Sequence, residues 1–227
     1  MSLSKDLIKF NSQTAARDKI FRLAQYGSRL LLWQLTHGSP DVPGEVITRL
    51  SKLEAALGLS RKLFRLGNCV DLAHKAVDAF SIQNAGIRAL TVTSHAMKSL
   101  WLFIDHFLWF GKVGVIKMDV VLWTRWSLRA WLLCLVTASV ADVILLLEVQ
   151  ARLGREHTDP PGTVKQLMTQ VRGFRLNFWR DFCDIFIPLG GLGYASPGLS
   201  ALCGVVSSVI GFLQEWERHI KPFKANT

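Results

Sequence analysis

Residues Ser60–Phe80 read SRKLFRLGNCVDLAHKAVDAF, and the spacing of their apolar side chains governs how the rest of the chain is read. Leu63, Leu66, Val70, Ala73, Val77 and Phe80 recur at alternating intervals of three and four, which puts them on one stripe of an α-helix. Arg61, Asn68 and Lys75 fall roughly opposite, Lys62 and Arg65 flank the edges, and the Ser60 hydroxyl can cap the first turn. An apolar stripe with a basic back can lie in a membrane surface, its basic stems reaching up to the headgroups. Taken alone, such a stripe reads first as a bundle helix with a wet back. In the membrane reading the stripe inserts, with Arg61, Lys62, Arg65 and Lys75 as headgroup contacts. Phe64 and Leu72 lie off the stripe and point to a second contact surface. The basic residues are opposed by Asp71 and Asp78, so apolar insertion has to supply most of any membrane affinity.

Composition favours the membrane. Half of the 227 residues are hydrophobic, eight are Trp, and the mean hydropathy is positive. The net charge of +10 is uneven: residues 1–98 carry +7, residues 99–150 carry none and residues 151–227 carry +3. A basic N-terminal part followed by apolar segments is the pattern of a membrane protein with a cytosol-facing basic region. Nucleic acid is the rival partner for a pI near 9.8. No zinc-ligand spacing, aromatic RNA-binding signature or dense basic arm accompanies the charge, so no nucleic-acid partner is expected. Cys69, Cys134, Cys183 and Cys203 are scattered without a C-x-x-C pair and read as small buried residues. The N-terminus lacks the apolar run of a signal peptide, and the closing Lys-Ala-Asn-Thr is no receptor-read address, so targeting is expected to be internal.

Along the chain, residues 14–35 read as a long helix with Ile20, Leu23, Gly27, Leu30 and Leu31 on one face and a basic back. The cluster at residues 37–41 ends it. A second amphipathic segment runs from about Glu45 to Leu57, with Gly58 closing it before Ser60 starts the next helix. Residues 81–97 are weakly helical. Leu100–Ile116 is apolar but interrupted by Asp105, His106 and Lys112, for which paired positions inside a bundle are expected. Ala130–Leu147 contains one charge, Asp142, and either spans or packs as a buried helix. Gly154–Gly162 reads as a polar linker, and residues 163–180 as a further basic amphipathic segment.

The strongest membrane signal is Ile185–Leu213, 29 residues without a charge. Pro188, the glycines at 190, 191 and 193, and Pro197 are expected to break its first third, leaving Gly198–Trp216 as a single span. Ser200, Gly204 and Ser208 recur every four residues there, and Ser207 pairs with Gly211 in the same way. Small residues at that spacing let helix backbones approach closely, so this face is expected to mediate self-association. No P-loop, G-x-S-x-G, H-E-x-x-H or dinucleotide-binding glycine motif is present, and no catalytic, cofactor or metal site is expected. A channel for small metabolites, lined by Asp105, His106, Lys112, Arg125, Arg129 and Asp142, is the competing function.

Four ordered stretches together resemble the peroxisomal membrane proliferation family, the peroxin-eleven proteins. They are Arg17–Arg22 with Gln25-Tyr26, Gly58–Gly67, Asp105-His106 with Trp109 and Gly111, and Cys183–Leu189 followed by Gly204–Ser208. The resemblance implies an integral peroxisomal membrane protein that elongates the membrane before fission, inserting an amphipathic helix that matches Ser60–Phe80. It also implies peroxisomal membrane lipids as partners, self-association into homo-oligomers, and cooperation with the dynamin-like fission GTPase and its tail-anchored adaptors. Both termini are then expected in the cytosol, which implies an even number of spans, two of the three apolar runs crossing and Ala130–Leu147 packing or lying shallow. The fold expected is an all-α, membrane-associated helical bundle with a C-terminal transmembrane helix. Its expected segments are residues 1–98 (cytosolic basic helices), 99–150 (apolar helices), 151–181 (linker and basic helix) and 182–227 (membrane segment and tail).

Overall fold

The computed structural model describes residues 3–38, 42–155 and 161–220, and these form an all-α fold. The helices are α1 (Leu3–Asn11), α2 (Thr14–Gly38), α3 (Gly44–Phe64), α4 (Asn68–Asp78), α5 (Ala85–Lys112), α6 (Val120–Arg155), α7 (Pro161–Gly191) and α8 (Pro197–His219), with one 3₁₀ turn at Ala79–Ser81. Side-chain caps fix several starts. Asn84 Oδ1 accepts from the N–H groups of Gly86 and Ile87 at α5, and Ser196 Oγ accepts from Leu199 N at α8, where Pro197 occupies the first turn. Asp119 does the same for Val121 and Leu122 at α6.

Six helices form a closed sequence of neighbours. α2 packs on α8, α8 on α7, α7 on α6, α6 on α5, and α5 meets α3, which returns to α2. Among the described α-helices, α4 packs on α5 alone, and α1 lies at one end against α2 and α8. Tyr26, Trp131, Leu135 and Ile187 form the buried centre, flanked by Trp101, Leu128, Ile185 and Val205. The rings of Trp101 and Trp131 stack 4.8 Å apart, which ties α5 to α6. Helices drawn from all four sequence segments share these helix contacts.

Three local expectations are corrected. Ser60–Phe80 is not one helix. Ser60 lies inside α3, where its hydroxyl donates to Ala56 O at 2.9 Å, and Gly58 is likewise interior. The chain breaks at Arg65–Gly67, because Gly67 adopts φ +83°, a left-handed conformation that only glycine enters without cost. Pro188 does not end its helix. α7 runs through it to Gly191 and closes in a Schellman arrangement, with Tyr194 N donating to Leu189 O and Gly193 at φ +87°. The weakly helical stretch 81–97 largely belongs to α5, carried by its Asn84 cap and its packing on α4 and α6. Of the expected turn at 37–41 and linker at 154–162, residues 39–41 and 156–160 lie outside the described residues.

Among the described residues, two helices, Val120–Gly154 and Pro197–His219, are long and apolar enough to cross a membrane. Both keep apolar stripes facing outward: Leu133, Val136, Val140 and Leu147 on α6, and Leu199, Leu202, Val206, Val209 and Leu213 on α8. The four cysteines are free thiols.

Candidate functional site

The site begins at the break between α3 and α4. Ala76 and Ala79 are buried, and their small side chains let α4 settle on α5. Ser99 Oγ on α5 donates to Cys69 O at 2.7 Å, which caps a carbonyl of the first α4 turn. His106 Nε2, also on α5, lies 3.2 Å from Arg65 O and 3.3 Å from Gly67 N, holding the break itself. With α4 fixed by that face, the opposite stripe points away from the bundle. Val70, Val77 and Phe80 are 59, 65 and 64% exposed, and Leu63, Leu66 and Ala73 are exposed beside them. Such a run of uncovered large apolar groups marks an interaction surface.

The basic residues lie elsewhere, which corrects the sequence-based placement. Arg61 is buried; its Nε donates to Asp18 Oδ1 at 3.0 Å and its Nη1 to Gln25 Oε1 at 2.8 Å, both on α2. Lys62 and Arg65 both donate to the buried carboxylate of Asp105 on α5, and the Arg65 guanidinium lies over the Trp101 ring. Only Lys75 of the four stays exposed, paired with Asp71 at 2.7 Å. The cause is the last turn of α3, which is wedged between α2 and α5. There Asp18 and Asp105 would be unpaired buried charges without it. Burial alone would raise the Asp18 carboxyl, but Arg61 and then Arg65 outweigh it and hold it below the ordinary value. Burial also pushes the Lys62 ammonium below the usual lysine range, against the pull of Asp105.

The small-residue face of α8, expected to meet a second copy, packs within the chain. Gly204 receives the Tyr26 ring, Gly211 lies against the Lys19 stem, and Ser200 sits against Gly190 of α7. Ser207 Oγ and Ser208 Oγ accept from Arg22 at 3.0 and 3.1 Å. The same guanidinium pairs with Asp184 of α7. This Arg22–Asp184–Ser207–Ser208 cluster escapes sequence reasoning. Its members come from three helices, and the local hint is Asp184, directly before the uncharged run.

Among the described residues, no group of His, Cys, Asp and Glu could hold a metal ion. Beside the Arg61 network lies a cavity of 570 Å³ between α2, α3, α5 and α6.

The sequence profile of the family described as Peroxisomal biogenesis factor 11 matches residues 4–216. The human protein named Peroxisomal membrane protein 11B is 30% identical over 248 residues, covering 91% of this chain and 94% of that protein. Peroxisomal membrane protein 11A of Bos taurus is 27% identical over 237 residues, with the same coverage of both. A Dictyostelium discoideum protein named Peroxisomal membrane protein 11 homolog is 30% identical over 156 residues, covering 66% of this chain and 59% of that protein. No solved structure matches the chain. The profile match runs from α1 into α8, and the human relative aligns over nearly its full length; on both grounds the chain belongs to the peroxisomal biogenesis factor 11 family.

Proposed function

We propose that this protein remodels and elongates the peroxisomal membrane ahead of fission, by pressing the apolar stripe of α4 into one leaflet. Family membership supports the coarser statement, a peroxisomal membrane protein that acts in peroxisome proliferation. The observation that carries the finer one is the exposure of Val70 and Val77 on α4 and of Phe80 in the 3₁₀ turn after it, while the other face of α4 is fixed to α5. A wedge of this kind expands the leaflet it enters and favours curvature. Because Arg61, Lys62 and Arg65 pair with Asp18 and Asp105 inside the bundle and not along the α4 stripe, insertion rests on apolar burial, with Lys75 left to meet headgroups.

The outward stripes of α6 and α8 suit acyl chains, which supports integral membrane residence with these two helices as spans. Phe10 packs on Phe212 and Trp216, so the start of the chain and the end of α8 sit at one end of the bundle. That agrees with both termini in the cytosol and an even number of crossings. Homo-oligomers, assembled through surfaces other than the occupied Gly204 face, and recruitment of a dynamin-like fission GTPase with its tail-anchored adaptors belong to the same proposal.

The test is reconstitution of the full chain into vesicles, with membrane tubulation scored by electron microscopy. Val70→Glu with Val77→Glu should abolish tubulation while helix content is retained. Tubulation at the normal level by this variant would sink the proposal.

A further inference from the structure

We propose that the cavity between α2, α3, α5 and α6 binds a phosphomonoester carried on an apolar body. The inference stands apart from the α4 wedge and uses a different surface of α3 and α5.

The charge balance comes first. Arg22, Arg29, Arg61, Lys62, Arg65 and Lys112 line the cavity, against the carboxylates of Glu54 and Asp105. Asp18 and Asp184, which pair with Arg61 and Arg22 from behind, bring the total to six cations against four carboxylates. An excess of two positive charges remains, and it is localised. Arg22, Arg29 and Arg61 each have a carboxylate of their own. Lys62 and Arg65 share the single carboxylate of Asp105, and Lys112 pairs with none among the described residues. The charge shared by Lys62 and Arg65 is costly beside a low-dielectric wall until an anion neutralises it, and the exposed Lys112 adds a solvated cation to the lining. A phosphomonoester dianion matches the excess and offers several acceptor oxygens to these donors.

Size and lining then define the rest of the ligand. The 570 Å³ volume lies in the range of small-molecule sites and far exceeds what a bare phosphate fills. Among the cations the lining also carries Tyr26, Leu108, Leu128 and the stacked Trp101–Trp131 pair, with Arg22 and Arg29 over the Tyr26 ring. Arg65 lies over the Trp101 ring, 5.0 Å from its centroid, so cation and aromatic surface adjoin in the lining. An anion with an apolar body meets the cations and the apolar groups at once. Such a ligand can come from the bilayer, as a lipid with a monoester headgroup, or from solution, as a phosphorylated metabolite.

The experiment titrates the full chain in neutral detergent micelles, read by Trp fluorescence and calorimetry. The probes are dihexanoyl phosphatidic acid, 1-naphthyl phosphate, inorganic phosphate, and dihexanoyl phosphatidylglycerol as a singly charged diester. Saturable binding is expected for at least one of the two monoesters, tighter than for inorganic phosphate or the diester. Preference for the phosphatidic acid assigns the bilayer source, and preference for naphthyl phosphate the soluble one. Lys112→Ala, at an exposed position, and Lys62→Gln should each weaken binding about tenfold, the worth of one charged hydrogen bond. Asp105→Asn, which frees Lys62 and Arg65, should tighten it. Absence of saturable monoester binding overturns the proposal. Equal affinity for the diester or for inorganic phosphate does so as well, as does unchanged affinity in both lysine variants.

Discussion

The Nε of Arg61 donates to Oδ1 of Asp18 across 3.0 Å, joining residues 43 positions apart. Asp18 belongs to the Arg17–Arg22 stretch and Arg61 to the Gly58–Gly67 stretch, so the two most basic motifs of the chain meet in one ion pair between α2 and α3. Their side chains are only 7% and 12% exposed, for Arg61 and Asp18 respectively. The pair therefore acts as a structural joint.

Removing one partner leaves the other charged and buried. Arg61→Ala is expected to destabilise the folded chain by about 3–5 kcal/mol. Arg61→Met combined with Asp18→Asn should cost much less, because no lone charge remains. Denaturant titration in micelles checks both. Loss of vesicle binding by Arg61→Ala with unchanged stability would return this residue to the headgroup role its spacing first implied.

A side chain at Gly204 would collide with the Tyr26 ring. Gly204→Leu is therefore expected to part α8 from α2 and to destabilise the fold by about 1–3 kcal/mol or more, the usual range for overpacking. Limited proteolysis should show α2 becoming accessible, while intermolecular crosslinking yield at matched folded protein stays the same. A fall in crosslinking with no loss of stability would restore Gly204 to an interface between copies.

Gly67 holds φ +83°, and a Cβ there would touch nothing within 4 Å, so any cost of substitution is backbone strain. Gly67→Ala should lose about 1–2 kcal/mol. Gly67→Asn should lose less, because asparagine tolerates the left-handed region. In the alanine variant α4 is expected to swing toward continuity with α3, which a spin-label distance between residues 53 and 74 would report. Equal stability of all three proteins would argue against the left-handed break.

Lys19 lies against Gly211, and burial, followed by the neighbouring Arg22, pushes its ammonium down to about 8. The unfolded chain, near the ordinary lysine value, then binds more protons between about pH 8 and 10.5. The penalty is full below pH 8, and stability from this group rises as pH climbs through that window. Lys19→Met should therefore melt above the wild type at pH 7, and the gap should narrow by pH 10. A gap independent of pH would assign the gain to packing alone.

Much of the local structure is legible before any coordinates. The stripe through Val70, Val77 and Phe80, the apolar runs of α6 and α8, and the all-α fold follow from periodicity and hydropathy, which depend on near neighbours in sequence. The break at Gly67 was less legible. The apolar spacing passes through it unbroken, and only the glycine hints at the left-handed turn.

Which polar groups meet was decided by the tertiary structure. Arg61, Lys62 and Arg65 read as an outward basic edge because periodicity fixes a side chain's direction only relative to its own helix. The closure of α3 between α2 and α5 turned that edge onto Asp18 and Asp105, and the packing of α2 on α8 spent the Gly204 face on Tyr26 and its neighbouring serines on Arg22. Sequence alone determined that α4 would carry an apolar stripe and that α6 and α8 would be long and apolar. The tertiary structure decided which charges were buried and which stripe stayed bare, because a buried charge is stable only opposite its partner, and partners 43 or 162 residues apart come together only when the helices pack.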